Sequence, residues 1–445
     1  MKKKVVLIGA NHAGTAAANT ILDNYKDYDL VIFDKNDNIS YLGCGSALWI
    51  GRQIDQPDGL FYCSRQTFET KHAKVHMETE VTKVDFKARK VIGKNKQGQL
   101  VEETYDKLII ATGSLPNRPS IKGIDLQNVC KLKLFQDAQN LEKLMTQEDI
   151  KTVAVVGAGY IGVELAEAVC RRGKRALLLD GSNTCLSTYY DEWFTKDMDK
   201  VLADGGVECH FGETLSEIQG ETKVTGIKTN KGEYKVDVVV MAIGFRPNTD
   251  AFKEDLEMLP NGAIMVDRTQ KTSQNDVYAI GDCASIYSNA LKDRTYIALA
   301  TNAVRSGIVA AHNVCGTKLE STGVQGSNGI SIFDYKMVST GYNLAMAKKS
   351  GFNPEYTEFE DMQKPAFMKT DNHKVKIRIV YDKDTRRILG AQMASYQDIS
   401  MGIHMFSLAI EEGVTIDKLK LLDIFFLPHF NQPYNYITMA ALKAK

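Results

Sequence analysis

The chain has 445 residues, more than a single hydrophobic core usually serves, so two or three domains are expected. Its 44% hydrophobic and 25% charged residues are ordinary for a globular protein, and equal numbers of basic and acidic residues (55 each) argue against a broad electrostatic grip on nucleic acid or anionic lipid. The Lys-rich start lacks a cleavable apolar segment, and no apolar stretch reaches the length needed to cross a bilayer, so a cytoplasmic protein is expected.

The first elements of the chain form a pattern that returns in its middle. An apolar run at 5–8 leads into a glycine turn at 9–14, a helix-forming stretch (Thr15–Leu22) and a second apolar run that ends at Asp34. The same succession returns with apolar runs at 153–156 and 176–179, a glycine turn at 157–162, a helix-forming stretch at 163–172 and a closing acid at Asp180. Further strands at 108–113, 238–244 and 276–282 follow these units. The sequence therefore predicts two βαβ nucleotide-binding domains with parallel sheets.

The second glycine turn has the dinucleotide-binding pattern Gly157-x-Gly159-x-x-Gly162. Its glycines permit a tight turn, close approach of backbone N–H groups to a pyrophosphate and close packing of helix on strand. Asp180 stands where it can accept hydrogen bonds from the ribose hydroxyls. Because a carboxylate there disfavours a 2′-phosphate, the sequence predicts NADH rather than NADPH.

The first glycine turn departs from that pattern, since Asn11 replaces the middle glycine between Gly9 and Gly14. Asn tolerates unusual backbone angles, so the turn is expected to survive, with Asp34 as the ribose partner. Two nucleotide folds imply two dinucleotides. A hydride from NADH needs an acceptor, and the sequence encodes no metal centre. The dinucleotide at the first glycine turn is therefore predicted to be FAD.

Cys44 is the candidate redox residue among eight cysteines. It lies between two glycines at the start of a helix-like run, where the sulfur is accessible and a helix N-terminus is expected to favour the thiolate. Trp49 occupies the second position of a C-x4-C pair, so the expected oxidised form is a sulfenic acid or a mixed disulfide with a small thiol. A purely structural cysteine is the alternative. His12 either caps the first turn or acts on an oxygen carried by Cys44.

After about residue 325 the character of the sequence changes. Apolar runs at 375–381 and 387–393 flank a polar turn, which predicts an antiparallel hairpin. Helical patterns follow at Ile399–Glu412 and Ile416–Leu422. This part is predicted to be a separate α+β domain.

The chain resembles the single-cysteine pyridine nucleotide–disulfide oxidoreductases, most closely the water-forming NADH oxidases of lactic acid bacteria and streptococci. The resemblance runs nearly end to end and is most specific at Gly-Ala-Asn-His-Ala-Gly (9–14), Gly-Cys-Gly (43–45), Val-Gly-Ala-Gly-Tyr-Ile-Gly-Val-Glu-Leu-Ala (156–166), Leu-Ala-Thr-Asn-Ala-Val-Arg (299–305) and Pro-His-Phe-Asn-Gln-Pro-Tyr (428–434). It implies a glutathione-reductase-like α/β fold and a homodimer. The implied domains are an FAD-binding domain (1–118 and 247–322), an inserted NAD-binding domain (119–246) and a C-terminal dimerisation domain (323–445).

The resemblance also implies the cofactor contacts. Lys133 would contact an FAD phosphate and Asp282 the ribityl chain, while Tyr160 would cover the flavin where nicotinamide docks. For Lys133 and Tyr189 an interpretation as ordinary surface residues stays open. The predicted FAD contacts are Gly9, Asn11, His12, Ala13, Gly14, Asp34, Cys44, Val81, Ala111, Thr112, Gly113, Ser114, Lys133, Asp282, Leu299, Ala300 and Thr301. The predicted NADH contacts are Gly157, Gly159, Tyr160, Ile161, Gly162, Asp180, Tyr189 and Gly244.

The implied activity is oxidation of NADH by O2 to water through a Cys44 thiolate and sulfenic acid cycle, with no metal, nucleic acid or membrane involved. An NADH peroxidase shares the histidine and the cysteine and would run only the peroxide half of that cycle. Coenzyme A disulfide or persulfide reductases carry Asn where this chain has Gly43 and lack the histidine at position 12. An NADH reductase for ferredoxin or rubredoxin shares the double fold but needs no redox cysteine.

Overall fold

The structure, a computed structural model, describes residues 2–445 and contains three five-stranded sheets. The first sheet is parallel and has the strand order Val277–Ala279, Lys107–Ile110, Lys3–Ile8, Tyr28–Phe33, Lys74–His76. Two helices, His12–Asn24 and Ala300–Val314, pack against each other and cover one face of this sheet with alanines. This is the first of the two predicted βαβ domains.

The second sheet is also parallel and repeats the arrangement. Its strand order is Val207–Phe211, Arg175–Asp180, Thr152–Val156, Val238–Met241, Val129–Lys131. The helices of this part of the chain are Phe135–Met145, Tyr160–Arg171 and Glu192–Asp204. The predicted pair of nucleotide-binding folds is therefore confirmed.

The helices that follow the two glycine turns begin at His12 and Tyr160, three residues earlier than predicted. The reason is that the last glycine of each pattern, Gly14 or Gly162, already belongs to the helix. A Cβ on Gly14 would stand 1.9 Å from the carbonyl oxygen of Gly9, and one on Gly162 would stand 1.7 Å from that of Gly157. These glycines let the helix continue back to the turn, which the apolar pattern alone did not reveal.

The chain leaves and re-enters the first domain through two short strands. Ser114–Pro116 and Phe245–Pro247 pair antiparallel, on either side of the second sheet's elements in sequence. The predicted boundaries after residues 118 and 246 lie at or next to this strand pair, and they and the boundary after residue 322 stay predictions.

Smaller elements are the antiparallel sheets Thr79–Asp85/Lys90–Asn95/Leu100–Thr104, Leu215–Gln219/Gly226–Thr229/Glu233–Tyr234 and Ile286–Ser288/Asp293–Thr295, the helices Ser46–Ile50 and Arg65–Glu69, and the 3₁₀ turns Gly43–Gly45, Pro57–Leu60, Asp250–Phe252 and Gly281–Cys283.

The third large sheet is antiparallel and forms the C-terminal domain. Its order is Asn328–Ile332, Tyr335–Gly341, Ile388–Ser395, Lys374–Asp382, Pro354–Met362, with helices Leu344–Lys349, Ser400–Glu411, Ile416–Leu419 and Tyr436–Leu442. The predicted hairpin is confirmed, while the second predicted helix ends at Leu419 and is one turn long. Within residues 2–445, the structure has no helix with the length and apolar character of a membrane span.

Asp191 joins the second parallel domain to the C-terminal sheet. Its carboxylate pairs with the buried guanidinium of Arg378 (2.9 Å) and accepts hydrogen bonds from Gln392 Nε2 (2.7 Å) and the Leu344 N–H (3.1 Å). Arg378 also pairs with Glu358, so its charge is shared between two carboxylates. The contact fixes the domain that carries Tyr160 and Asp180 against the C-terminal domain.

Removing the Asp191 carboxylate should destabilise the protein markedly, because breaking a buried ion pair leaves a charge without its partner. We expect Asp191→Ala to lower the free energy of unfolding by about 3 kcal/mol in a denaturant titration, since Glu358 compensates Arg378 only in part. The exposed pair of Asp250 with Arg246 is a matched control, and Asp250→Ala should cost less than about 1 kcal/mol. Equal losses in the two variants would contradict this account.

Candidate active site

The first glycine of each nucleotide turn closes the turn against the neighbouring strand. Gly9 and Gly157 have φ values of +98° and +105°, in the left-handed region that favours glycine. A Cβ on Gly9 would lie 2.3 Å from the carbonyl oxygen of Ala111, and one on Gly157 would lie 2.5 Å from that of Ala242. Each glycine turn therefore lies directly against the end of a neighbouring parallel strand, Lys107–Ile110 for Gly9 and Val238–Met241 for Gly157. A dinucleotide is expected to bind at this end of the sheet.

The middle position of the turn has the same conformation in both copies. Asn11 has φ −87° and ψ −154°, and Gly159 has φ −76° and ψ −171°, both in the extended region open to any residue. The explanation from the backbone tolerance of Asn was therefore wrong, because no unusual angle is needed. A Cβ on Gly159 would meet no atom within 4 Å, so this position borders free space of the kind a pyrophosphate fills.

Asp34 and Asp180, the acids that end the two βαβ units, accept hydrogen bonds from the backbone of their glycine turns in the same way. One oxygen of Asp34 accepts the N–H of Ala10 and one oxygen of Asp180 accepts that of Ala158, each at 2.7 Å. The other oxygen of each acid accepts the N–H two residues further on, at 2.8 and 2.7 Å. Carboxylate oxygens have further lone pairs, so both acids can still accept from a ribose hydroxyl. Burial raises the pKa of Asp34.

Three predicted FAD contacts lie together beside the first sheet. Lys133 Nζ donates to Ser114 Oγ (2.8 Å) and approaches Asp282 Oδ2 (3.3 Å), while Ser114 Oγ donates to the same Asp282 oxygen (2.8 Å). The Lys133 ammonium also lies 4.7 Å from the ring centre of Phe245. Lys133 is therefore held in an ion pair rather than freely solvated, and its contact with an FAD phosphate stays a prediction.

Further residues predicted to contact FAD lie in three other segments of the chain. Leu299, Ala300 and Thr301 form the N-terminus of the helix Ala300–Val314, which approaches so closely that a Cβ on Gly307 would lie 2.3 Å from the carbonyl oxygen of Ala13. Thr112 donates to the carbonyl of Asn248 at 2.6 Å, and Gly113 follows with φ +70°. Val81 is half-buried in the small sheet Thr79–Asp85/Lys90–Asn95/Leu100–Thr104.

Cys44 lies in a 3₁₀ turn, Gly43–Gly45, followed by the five-residue helix Ser46–Ile50. The residue is exposed, but the surrounding protein disfavours a negative charge on its sulfur. Burial raises the pKa of the Cys44 thiol, and the carboxylate of Glu164 raises it further, against the smaller lowering effect of nearby backbone N–H groups. The backbone N–H groups at this turn therefore act in the expected direction, toward the thiolate, but burial and the Glu164 carboxylate outweigh them.

His12 is the first residue of the helix His12–Asn24, and its partner is a side chain. Its Nδ1 lies 3.0 Å from the Tyr62 hydroxyl, and the two rings stack with centroids 5.9 Å apart. The interpretation as a backbone cap was wrong. Burial lowers the pKa of His12, opposed by the Asp282 carboxylate and reinforced by the Lys133 ammonium, so the imidazole is neutral at neutral pH. Burial raises the pKa of Tyr62 to about 12, with contributions from Cys63 and Cys44.

Glu164 was missed in the sequence, although it lies one helical turn after Tyr160 and shares its face of the helix. Burial and the charge of Glu167 raise the pKa of the Glu164 carboxyl to about 7. Its charge also contributes to the raised pKa values of Cys44 and Tyr160. The charge of Glu164 therefore acts on both Cys44 and Tyr160.

The residues predicted for NADH lie at the end of the second sheet. Tyr160 and Ile161 begin the helix Tyr160–Arg171, and the Tyr160 ring contacts that of Tyr189 edge-on at 4.6 Å. The Tyr160 hydroxyl bonds to Asn328 Oδ1 of the C-terminal sheet. Gly244, with φ +86°, lies beyond the strand Val238–Met241. Neither Asn328 nor Tyr62 carries a local sequence signal, since each meets its partner only through the fold.

Comparison with known proteins agrees with this geometry. The sequence pattern of the family described as pyridine nucleotide-disulphide oxidoreductase matches residues 3–307, and that of its dimerisation domain matches residues 328–435. The chain belongs to this family.

Its similarity to particular members is high. It is 56% identical to an NADH oxidase of Streptococcus pyogenes, over 99% of both chains, and 55% identical to an NADH oxidase of Lactococcus lactis, over 99% of this chain and 100% of the other. Its structure matches that of a water-forming NADH oxidase from Lactobacillus brevis bound to NADH with a TM-score of 0.96 and 37% identity, covering 99% of this chain and 98% of the other. The predicted resemblance is therefore confirmed.

Replacing Glu164 should make Cys44 more reactive, because a nearby carboxylate opposes the thiolate. We expect Glu164→Gln to speed alkylation of Cys44 by iodoacetamide at pH 8 about two- to tenfold, read out on the Cys44 peptide by mass spectrometry. The exposed Glu192 is the matched control, and Glu192→Gln should leave the rate unchanged. A slower reaction in Glu164→Gln would show that the carboxylate assists the thiolate.

Proposed function

We propose that this chain is an FAD-dependent NADH oxidase that reduces O2 to water. The observation that carries the proposal is Cys44, the exposed one among the eight cysteines, at the start of a short helix that packs on the helix Tyr160–Arg171 after the second glycine turn. Tyr41 pairs antiparallel with Phe61, so Cys44 and Cys63 lie on opposite sides of this bridge, and both are free thiols. Cys44 therefore fits a role in which its sulfur reacts with an oxygen species rather than with a neighbouring thiol.

The first turn and its surroundings fit FAD. Gly9 and Gly14 let the backbone approach a pyrophosphate, Asp34 has free lone pairs for the adenosine ribose, and Lys133 with Asp282 offers a charged pair beside the turn. We assign the FAD site to these residues and to the segments 111–114 and 299–301. When bound, FAD accepts a hydride from NADH and passes electrons to oxygen.

The second turn fits NADH. The free space at Gly159 and the N–H groups that begin the helix Tyr160–Arg171 suit a pyrophosphate. Asp180 faces the ribose position without a basic neighbour in Gly181 or Ser182, which disfavours a 2′-phosphate. We assign nicotinamide to the space bordered by Tyr160 and Tyr189.

Cys44 supplies the chemistry that makes water the product. Its thiolate attacks one oxygen of hydrogen peroxide, so that an S–O bond forms, the O–O bond breaks and hydroxide leaves as water after taking a proton. Sulfur is thereby oxidised to the sulfenic acid. Two electrons that derive from a second NADH, together with protons, return it to the thiolate and release another water. In this proposal neutral His12, which Tyr62 holds, accepts the thiol proton and hydrogen-bonds the oxygen on sulfur.

We further propose that the protein acts as a homodimer. The C-terminal domain exposes a series of large apolar side chains, of the kind that mark protein interfaces: Met401, Leu421, Phe425, Phe426, Phe430 and Tyr434. Several of them lie within or beside the segment Pro428–Tyr434, whose motif is among the most specific of the resemblance. The family's dimerisation domain, matched over residues 328–435, agrees with this proposal.

Replacing the cysteine should change the product. Cys44→Ser should keep NADH oxidation but release hydrogen peroxide, so that the consumption ratio falls from two NADH per O2 toward one. Oxygen-electrode and peroxide assays measure this directly. Cys63→Ser is the control and should still form water. Water formation at the native ratio by Cys44→Ser would exclude Cys44 as the peroxide-reducing thiol.

Replacing the acid of the second turn should change nucleotide preference. Asp180→Ala should raise kcat/KM for NADPH relative to NADH by about tenfold or more, because the carboxylate no longer repels a 2′-phosphate. Asp204→Ala, an exposed acid of the same domain, should leave the ratio unchanged. An unaltered preference in Asp180→Ala would show that Asp180 does not meet the ribose.

His12 should matter after peroxide has formed. In stopped-flow experiments, reduced His12→Gln enzyme should form the sulfenate roughly tenfold more slowly with hydrogen peroxide, while flavin reduction by NADH stays normal. Tyr62→Phe, which keeps the stacked ring but loses the hydroxyl, should show a smaller slowing. Equal slowing of both steps would indicate damage to the FAD turn, and normal rates would leave His12 a structural residue.

A further inference from the structure

Ser40 is a buried serine that joins the chain leading to Cys44 with the segment 60–63. The residue is fully buried. Its Oγ accepts the backbone N–H groups of Tyr62 (3.0 Å) and Cys63 (2.8 Å) and donates to the Cys63 carbonyl (2.9 Å). A hydroxyl has one proton and two lone pairs, so this oxygen is fully satisfied by the backbone. Ser40 therefore fixes the main chain at position 62.

The backbone of Ser40 reaches the first glycine turn as well. Its N–H donates to the carbonyl of Ala10 at 3.1 Å, and Ala10 lies two residues before His12. Ser40 has φ +62°, in the left-handed region that residues with side chains seldom adopt. A residue other than glycine keeps such a conformation only where its surroundings hold it. The contacts of the hydroxyl and of the N–H supply that constraint.

The segment 60–63 also supports the turn that carries Cys44. The Leu42 N–H donates to the Leu60 carbonyl at 2.8 Å. A Cβ on Gly45 would lie 2.3 Å from Leu60 Cδ2, so the turn lies directly on this side chain. One end of the segment 60–63 therefore determines where the Cys44 turn is placed.

Further along the same segment, Tyr62 holds His12. The Tyr62 hydroxyl lies 3.0 Å from His12 Nδ1, and the two rings stack with their planes 6° apart. Because this contact occupies Nδ1, Nε2 is the ring nitrogen left for a second partner. The segment 60–63 thus contacts the cysteine turn through Leu60 and the histidine through Tyr62, and Ser40 fixes its main chain.

We propose that Ser40 is a positioning residue for the reaction of Cys44 with peroxide. By fixing the segment 60–63 it keeps the Tyr62 hydroxyl on His12, so that Nε2 is directed toward the sulfur. This inference rests on the proposed roles of Cys44 and His12. Ser40 acts through Tyr62 and not on the reacting atoms, because its hydroxyl is fully used by the backbone of residues 62 and 63.

The test measures two steps of the FAD-loaded enzyme by stopped flow: flavin reduction by NADH, and sulfenate formation when the reduced enzyme meets hydrogen peroxide. Ser40→Ala should form the sulfenate about two- to fivefold more slowly, while flavin reduction stays normal, because only the second step needs an oriented imidazole. Ser40→Gly removes the same hydroxyl but suits the left-handed backbone, and should slow the step at least as much. A normal peroxide step in either variant would overturn the proposal.

Ser285 is the matched control for the loss of a buried hydroxyl. It is also buried, and its Oγ accepts the backbone N–H of Val266 at 3.0 Å. Ser285→Ala should react with peroxide at the wild-type rate, even where it lowers the melting temperature. Equal slowing in Ser40→Ala and Ser285→Ala would show a general loss of structure and would contradict a positioning role.

A double-variant cycle tests the route through Tyr62. In a Tyr62→Phe background, Ser40→Ala should add little further slowing, because both changes release the same imidazole. Slowing by the same factor in both backgrounds would overturn this route. Failure of the proposed function would look different, since the reduced wild-type enzyme would itself form no sulfenate with hydrogen peroxide.

Discussion

The functional architecture depends on the close approach of each glycine turn to the end of the neighbouring strand. Gly9 and Gly157 sit so near the carbonyls of Ala111 and Ala242 that no side chain fits between them. This contact fixes where each turn helix starts and brings the ends of the central strands to one edge of each sheet. Tyr160 and His12 are first residues of those helices, so their positions follow directly from the turns. The residues predicted to contact the two cofactors are grouped around the starts of these two helices.

The electrostatic surroundings of Cys44 indicate how its reactivity is controlled. Burial and the Glu164 carboxylate hold its pKa above the ordinary value, so the chain by itself favours the thiol. Reaction with peroxide needs the thiolate, and the proton therefore has to be taken by a neighbour. We propose His12 for that task, because a neutral imidazole can accept a proton and the contact with Tyr62 fixes the ring. In this proposal the sulfur is ionised by proton transfer to a base and is not permanently a thiolate.

Much of this arrangement could be predicted from the sequence, because the glycine patterns and closing acids are local signals of a βαβ unit. The same patterns predict His12, Asp34 and Asp180 as site residues, and the two flanking glycines predict Cys44. What could not be predicted depends on contacts between distant segments. Tyr62 meets His12 across fifty residues and Asn328 meets Tyr160 across domains, and neither has a local signature. The raised pKa of Cys44 could not be predicted for a related reason, since burial and the charge of Glu164 act on the cysteine only in the folded chain.

A water-forming oxidase consumes two NADH for each O2. The ratio of NADH to O2 consumed by the purified wild-type holoenzyme, measured with and without catalase, tests this property. We expect a ratio of two that catalase does not change, with no peroxide in solution. A ratio near one, together with oxygen returned on addition of catalase, would contradict it. No oxygen consumption, with NADH oxidation only when hydrogen peroxide is supplied, would instead identify a peroxidase.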